Sequence, residues 1–281
     1  MPHRRPTLPG RPEPRDIVEL RRLRAAQPEL APAIDLETAL LDLTRRVQSR
    51  VPLPTTLIER ASAASAFAEG RAILRFRDLP IDWSDFRLML REVGEVLRRA
   101  ELLEPGAQAA TLHLARDGHT LEPAVARYFD ATVERRDLPS DVEPFAQVFA
   151  LALKPFLARC AEALLPRIDL SGWHRGHCPL CAADPDFSVY TPESQRLLVC
   201  SRCAARWPHA EKCCPFCGNA NEHHLTSFAG PDTRYRIDAC EVCRRYLKAY
   251  DERASDRPAL LPLDALATLP LDAAAMQRGY S

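Results

Sequence analysis

Eight of the ten cysteines in this 281-residue chain fall into four Cys-x-x-Cys pairs: Cys178/Cys181, Cys200/Cys203, Cys214/Cys217 and Cys240/Cys243. Two thiolates spaced this way sit on one tight turn and can reach a single ion at about 2.3 Å; two such turns supply a tetrahedral four-sulfur shell. Residues 182–199 separate the first two pairs and residues 218–239 the last two, room in each case for a hairpin that brings the turns face to face. Only residues 204–213 separate Cys203 from Cys214, which suits a connection between two finished units. The pattern predicts two tandem four-cysteine ribbons. One metal ion would be held by Cys178, Cys181, Cys200 and Cys203, and a second by Cys214, Cys217, Cys240 and Cys243. Zinc and iron both accept such a shell, and the spacing does not choose between them.

Disulfides are the rival chemistry, and they need an oxidising compartment. Met1–Arg15 is basic and proline-rich with no apolar stretch of the kind a secretory signal carries, so a cytoplasmic location is expected. A thioredoxin-like redox motif would account for one of the four pairs at most. Cys160 lies in an apolar helical segment and is expected to be a small buried hydrophobe. Cys213 adjoins Cys214, so Cys213-x-x-x-Cys217 is an alternative register; Cys-Pro-Phe-Cys-Gly, the usual knuckle form, favours Cys214. His174, His177, His209, His223 and His224 flank the ribbons, yet eight cysteines already fill two tetrahedra. A glycine after the second cysteine eases such a turn. Only Gly218 supplies it, the equivalent positions being Ala182, Ala204 and Arg244.

The chain carries no His-Glu-x-x-His, no Gly-x-x-x-x-Gly-Lys-Ser/Thr, no Gly-x-Ser-x-Gly and no Gly-x-Gly-x-x-Gly, and no catalytic or organic-cofactor residue is assigned. Lys+Arg and Asp+Glu both number 38, so no global field attracts polyanions. Residues 173–253 hold eleven Lys/Arg and ten Asp/Glu. Eight thiolates with two divalent ions would leave that region at about −3, poorly suited to phosphates. Arg234, Arg236, Arg244, Arg245 and Lys248 form a basic group that keeps a nucleic-acid-binding zinc ribbon as one alternative; a rubredoxin-like electron carrier is another.

The elements that must position these cysteines divide at about residue 170. Residues 1–14 hold five prolines and three arginines and read as a disordered tail. Residues 15–170 read as an all-α domain. In it, Leu36, Leu40, Leu43 and Val47, and again Phe86, Leu90, Val93 and Leu97, recur at helical spacing. Asp16-x-x-Glu19 and Ser140-x-x-Glu143 are candidate capping boxes, and Thr55–Ala68, 106–115 and 121–134 are further helices. The apolar window Phe145–Leu165 is broken by Lys154, Pro155 and Arg159 and reads as a core helix, not a membrane span. The ribbons follow at 173–209 and 210–253, with strands expected at 187–191, 196–199, 224–228, 235–237 and 246–250. Trp207 is expected to pack across the first ribbon. A short helical tail closes the chain over 254–281.

The cysteine-bearing run is also similar to a known family. Cys-Pro-Leu-Cys at 178–181, Leu-Val-Cys-Ser-Arg-Cys-Ala-Ala-Arg-Trp at 198–207, Lys-Cys-Cys-Pro-Phe-Cys-Gly-Asn at 212–219 and Asp-Ala-Cys-Glu-Val-Cys-Arg-Arg-Tyr-Leu-Lys at 238–248 resemble the FdhE family of formate dehydrogenase accessory proteins. Leu-Pro-Leu-Asp and Gly279-Tyr280 resemble that family's C-terminal end. The likeness is specific over about 175–281; upstream only the general helical plan agrees. It implies rubredoxin-like metal sites on the eight paired cysteines, iron as a plausible native metal, and a non-catalytic cytoplasmic role. That role is binding the catalytic subunit of a respiratory formate dehydrogenase during maturation, before export. Ala182, Arg244 and Cys213 depart from the pattern. The partner expected is a protein, with no nucleic acid and no membrane insertion; the oligomeric state, a homodimer included, is left open.

Overall fold

In the computed structural model, residues 13–54 and 60–281 are described. The expected tail falls outside them except for its last two residues, as does the beginning of the helix expected over Thr55–Ala68. The first helix, α1 (Arg15–Ala26), follows Pro14 without a side-chain cap. Asp16 is turned instead toward Arg45 on α2 (Ala31–Gln48), joining the first two helices by an ion pair. After α3 (Arg60–Ala68), α4 (Trp83–Arg99) opens on Asp82, whose carboxylate accepts hydrogen bonds from the Ser84 and Asp85 amides, both at 2.9 Å. Phe86, Met89, Leu90, Val93 and Leu97 of α4 are at most 1 % exposed, the stripe its periodicity predicts.

Three further helices complete this region: α5 (Pro105–Arg116), α6 (Gly118–Val133) and α7 (Ala146–Leu164). Ser140 and Glu143 form no capping box; a 3-10 turn at Glu143–Phe145 leads into α7 without a side-chain cap. Val148, Phe149, Ala152, Leu153, Phe156 and Leu157, all fully buried, make α7 the central helix of this region. Among the described residues, no helix is long and apolar enough to cross a membrane.

Beyond residue 170 the chain forms β1 (Pro185–Tyr190), β2 (Arg196–Cys200), β3 (Arg206–Pro208), β4 (Leu225–Ala229), β5 (Tyr235–Cys240) and β6 (Tyr246–Asp251). They make one six-stranded sheet in the order β3-β2-β1-β6-β5-β4. Each half is a three-stranded antiparallel meander. The halves join where β1 and β6 run parallel, Phe187 opposite Lys248 and Tyr190 opposite Asp251. The ribbons are thus fused edge to edge through main-chain hydrogen bonds. β3 is the strand the periodicity leaves out, since three residues are too few to show alternation.

Two short helices, α8 (Leu261–Ala267) and α9 (Leu269–Gln277), fold back onto the sheet. Asp264, fully buried, holds α8 in place by accepting from Tyr235 Oη at 2.7 Å, the Leu260 amide at 2.6 Å and Arg257. Asp272 does the same for α9, accepting from Tyr246 Oη at 2.8 Å and Lys248 Nζ at 2.7 Å. A charge buried this way is tolerable only because every acceptor position is used.

Candidate metal centres

The four Cys-x-x-Cys segments are the same local structure four times over. In each, the amide of the first cysteine donates to a carbonyl five residues on, and the residue after the second cysteine donates back to the first cysteine's carbonyl. For Cys178 these bonds run to Ala183 (2.9 Å) and from Ala182 (3.0 Å), and for Cys240 to Arg245 (3.0 Å) and from Arg244 (2.9 Å). Closing the turn puts that following residue in the left-handed region: φ is 58° at Ala182, 56° at Ala204, 75° at Gly218 and 57° at Arg244. The three non-glycine residues adopt the conformation regardless, at a cost of about 1 kcal/mol each.

Hairpins then bring the turns together in pairs. The sulfurs of Cys178, Cys181, Cys200 and Cys203 converge within 4.8 Å of one another, and so do those of Cys214, Cys217, Cys240 and Cys243. In the first group, Cys178 and Cys203 Sγ are 3.6 Å apart, Cys181 and Cys200 3.5 Å, and Cys181 and Cys203 3.8 Å. In the second, Cys214–Cys243 and Cys217–Cys240 are both 3.7 Å. A disulfide needs about 2.05 Å. A tetrahedron with metal–sulfur bonds of about 2.3 Å has edges of about 3.8 Å, which these spacings match. The donor set fits a tetrahedral thiophilic cation in both places.

The first site is set up for charge as well as geometry. Burial pushes the Cys178 thiol well up, whereas hydrogen bonds from Cys178, Cys200 and Cys203 hold Cys181 well down. Four sulfurs this close can all ionise only with a cation among them. Amides face the sulfurs, with Leu180 donating to Cys178 Sγ and Arg202 to Cys200 Sγ, both at 3.4 Å. Arg202 also lies over the Tyr128 ring at 5.1 Å and donates to Thr132 Oγ1 at 2.9 Å. It brings positive charge to a site with formal charge −2 while anchoring the knuckle to α6.

The two sites differ in what surrounds them. All four cysteines of the first are at most 3 % exposed and share a continuous apolar core with the helices, including Phe86, Phe129, Phe156, Trp173 and Trp207. Main-chain bonds from Ile73 to the Pro179 carbonyl (3.1 Å) and from Leu74 to the Leu180 carbonyl (3.0 Å) tie the first knuckle to the chain between α3 and α4. In the second site Cys217 is exposed and Cys243 half-buried, and Val242 on the knuckle tip is 57 % exposed.

Two contacts fix one knuckle against another. Asp184 accepts from Arg135 at 2.7 Å and Arg245 at 3.1 Å, linking the end of α6, the first knuckle and the last. Gly176 packs against Pro215 so closely that a Cβ there would lie 1.8 Å from the Pro215 carbonyl oxygen. Neither contact was legible in the sequence, because each pairs residues distant along the chain with no motif between them.

The flanking histidines stand apart from both four-sulfur groups. His174, His223 and His224 are exposed, while burial pulls the half-buried His177 and His209 below the ordinary imidazole range. Cys160 is fully buried, its thiol pushed up to about 12 by burial. Cys213 joins neither group and lines a neighbouring cavity. Trp207 is fully buried in the shared core, its indole N–H donating to the Arg175 carbonyl at 3.1 Å. Each member of the basic group is engaged: Arg234 by Asp232, Arg236 by Asp238, Arg244 by Glu241, Arg245 by Asp184 and Lys248 by Asp272.

No family profile and no curated protein matches the chain in sequence. Among solved structures, the crystal structure of the FdhE protein from Pseudomonas aeruginosa superposes with a TM-score of 0.64 at 20 % identity, covering 95 % of this chain and 91 % of that one. The chain has an FdhE-like fold. Such coverage takes in the helical region, the joined ribbons and the C-terminal helices together, well beyond the cysteine-bearing segment that carried the sequence resemblance. The FdhE-like architecture here holds two four-cysteine groups of matching internal geometry.

Proposed function

We propose that this chain is a cytoplasmic accessory protein for formate dehydrogenase, binding the enzyme's catalytic subunit during its maturation, with two metal ions, iron or zinc, bracing the binding module. The observation that carries this reading is the combination of an FdhE-like fold along nearly the whole chain with both four-sulfur groups at tetrahedral spacing. The metal's part is structural in this reading: it closes turns whose own core is too small to hold them. A protein surface is the natural ligand, because the basic side chains that would meet a phosphate backbone are already paired with carboxylates.

The test is a pull-down of the catalytic subunit by anaerobically purified protein, with formate-dependent dye reduction measured in cells lacking the wild-type chain. Capture, restored dye reduction and two metal ions per chain are expected. Failure to capture would remove the assembly reading. A reversible one-electron potential with turnover by a reductase would favour the electron carrier instead, and salt-dependent affinity for DNA or RNA the nucleic-acid ribbon.

A further inference from the structure

The two edges of the sheet are built differently. β3 is three residues long and ends in Pro208, which has no N–H to offer a neighbour. β4, Leu-Thr-Ser-Phe-Ala, is five residues long with no charge and no proline, and among the described residues it pairs only with β5. Natural sheets protect such edges unless something is meant to pair with them. The bonds at either end of the hairpin, Glu241 N to the His224 carbonyl and Gly230 N to the Tyr235 carbonyl, set the alternation. By that alternation the N–H and C=O groups of Leu225, Ser227 and Ala229 point to the open side.

Beside this edge, on the face carrying Leu225 and Ser227, lies a cavity of about 290 Å³. Four cations, Arg196, Arg236, Arg245 and Lys212, line it against three carboxylates, Asp238, Glu211 and Glu222. Arg196, its side chain 2 % exposed, donates through Nη1 to the Cys213 carbonyl at 3.0 Å and lies 3.7 Å from Asp238, yet its buried Nε has no hydrogen-bond partner. Arg236 stacks on the Tyr190 ring at 3.8 Å and also turns to Asp238, at 3.2 Å. Asp238 is further occupied by Tyr190 Oη at 3.0 Å and Ser227 Oγ at 2.8 Å. Asp238 thus serves two arginines, Arg236 reaching Glu211 as well at 3.7 Å, and the buried Arg196 Nε is left without an acceptor.

We infer that β4 is a docking edge for an extended acidic segment of a protein partner. The segment adds as a seventh strand through the open main-chain groups of Leu225, Ser227 and Ala229 and places an Asp or Glu side chain in the Arg196/Arg236 cavity. A strand laid on β4 turns alternate side chains toward that face, so one backbone register delivers both interactions. A second copy of this chain is the poorer occupant, because β4 carries no acidic residue to meet the arginines. The inference rests on the accessory-protein reading only for the identity of the partner.

The test selects displayed random dodecapeptides on the metal-loaded full chain. Enriched peptides should alternate β-branched or aromatic residues and carry an Asp or Glu whose change to Asn or Gln weakens binding at least tenfold. Hydrogen exchange should slow at the 225–229 amides when they bind, a readout that needs no variant. Ser227→Pro removes an outward N–H while leaving the main-chain β4–β5 bonds in place and should abolish binding, whereas Ser227→Ala, which removes only the hydroxyl that donates to Asp238, should retain it. No enriched peptide, enrichment without protection at 225–229, or unchanged binding by Ser227→Pro would overturn the inference. So would a concentration-dependent dimer that Ser227→Pro dissolves, since that assigns the edge to a second copy. Pull-down of the catalytic subunit separates the two proposals: equal capture by wild type and Ser227→Pro sinks the docking edge alone. Capture by neither sinks the accessory reading, leaving the peptide result to decide the edge.

Discussion

The two four-cysteine sites are alike inside and unlike outside. Both are built from the same pair of turns, with the same main-chain bonds, the same left-handed residue after the second cysteine and sulfur spacings that agree within a few tenths of an ångström. The first lies in the core, its cysteines packed with the side chains of the helical region. The second stands at the surface with Cys217 exposed. Local geometry therefore fixes what each site can bind, while packing decides what depends on the binding. Losing the first ion would disturb the helices as well as the knuckles; losing the second would disturb mainly its own hairpin.

Removing one ligand from each site is the strongest way to break that comparison. Cys178→Ser and Cys217→Ser should each leave one ion per chain. Structural metal contributes on the order of 10 kcal/mol in small ribbons, and about 1 kcal/mol shifts Tm by about 2–4 °C in a chain of this size. Cys178→Ser is expected to lower Tm by more than about 10 °C, with loss of helical circular dichroism, or to prevent folding. Cys217→Ser should lower it by no more than about half as much and leave the helical signal intact. A colorimetric chelator should remove the second ion well before the first. Equal shifts and equal release rates would mean that burial makes no difference to the sites.

Much of this contrast could not have been read from the chain. The eight cysteines and their pairing are legible because two-residue spacing is itself the geometry of a chelating turn. The helical stripes are legible because their periodicity is long, as in the Phe86–Leu97 run. The composition break at residue 170 is equally visible, but packing continues across it: Trp173, Leu180 and Trp207 share one core with Phe86 and Phe156. The parallel join of β1 to β6 is likewise hidden, since both strands would read the same in two separate sheets. Asp16 and Ser140 look like caps in sequence, yet tertiary partners or a 3-10 turn take over at those positions. Arg202 was read only as part of a motif; its role as the cation between the first site and Tyr128 depends on where α6 lies.

A second contrast is between contacts within a site and contacts between knuckles. Gly176→Ala would push a methyl group into the Pro215 carbonyl and force the first and third knuckles apart. Overpacking of this kind costs about 1–3 kcal/mol, so a drop in Tm of roughly 3–10 °C is expected with both ions retained. Loss of an ion as well would mean that the knuckles are not independent units of metal binding.

Asp184 gives a smaller, pH-dependent version of the same test. Burial alone would raise its carboxyl, but Arg135 and Arg245 outweigh that and hold it below the usual carboxylate range. A group whose folded pKa is depressed stabilises the fold fully above its unfolded value, near 3.9, and loses that contribution as pH falls through the folded value. Asp184→Asn should therefore cost about 1–2 kcal/mol at pH 7, and the Tm gap from wild type should close below pH about 4. A gap that is independent of pH would assign the loss to packing instead of charge.

The finest test asks whether the two sites really are alike inside. Gly218 and Ala204 occupy the same place in their knuckles, with φ of 75° and 56°. No atom lies within 4 Å of a Cβ built on Gly218, and Ala204 is exposed, so exchanging these residues changes backbone preference and little else. Alanine in the left-handed region loses about 1 kcal/mol relative to glycine, partly offset by the greater entropy glycine loses on folding. Ala204→Gly should thus raise Tm by about 1–2 °C, and Gly218→Ala should lower it by a similar amount, with metal content unchanged in both. Equal and opposite shifts mean that the knuckles are the same backbone device and that burial alone separates the sites. A Gly218→Ala loss several times larger than the Ala204→Gly gain would place part of the difference within the turns themselves.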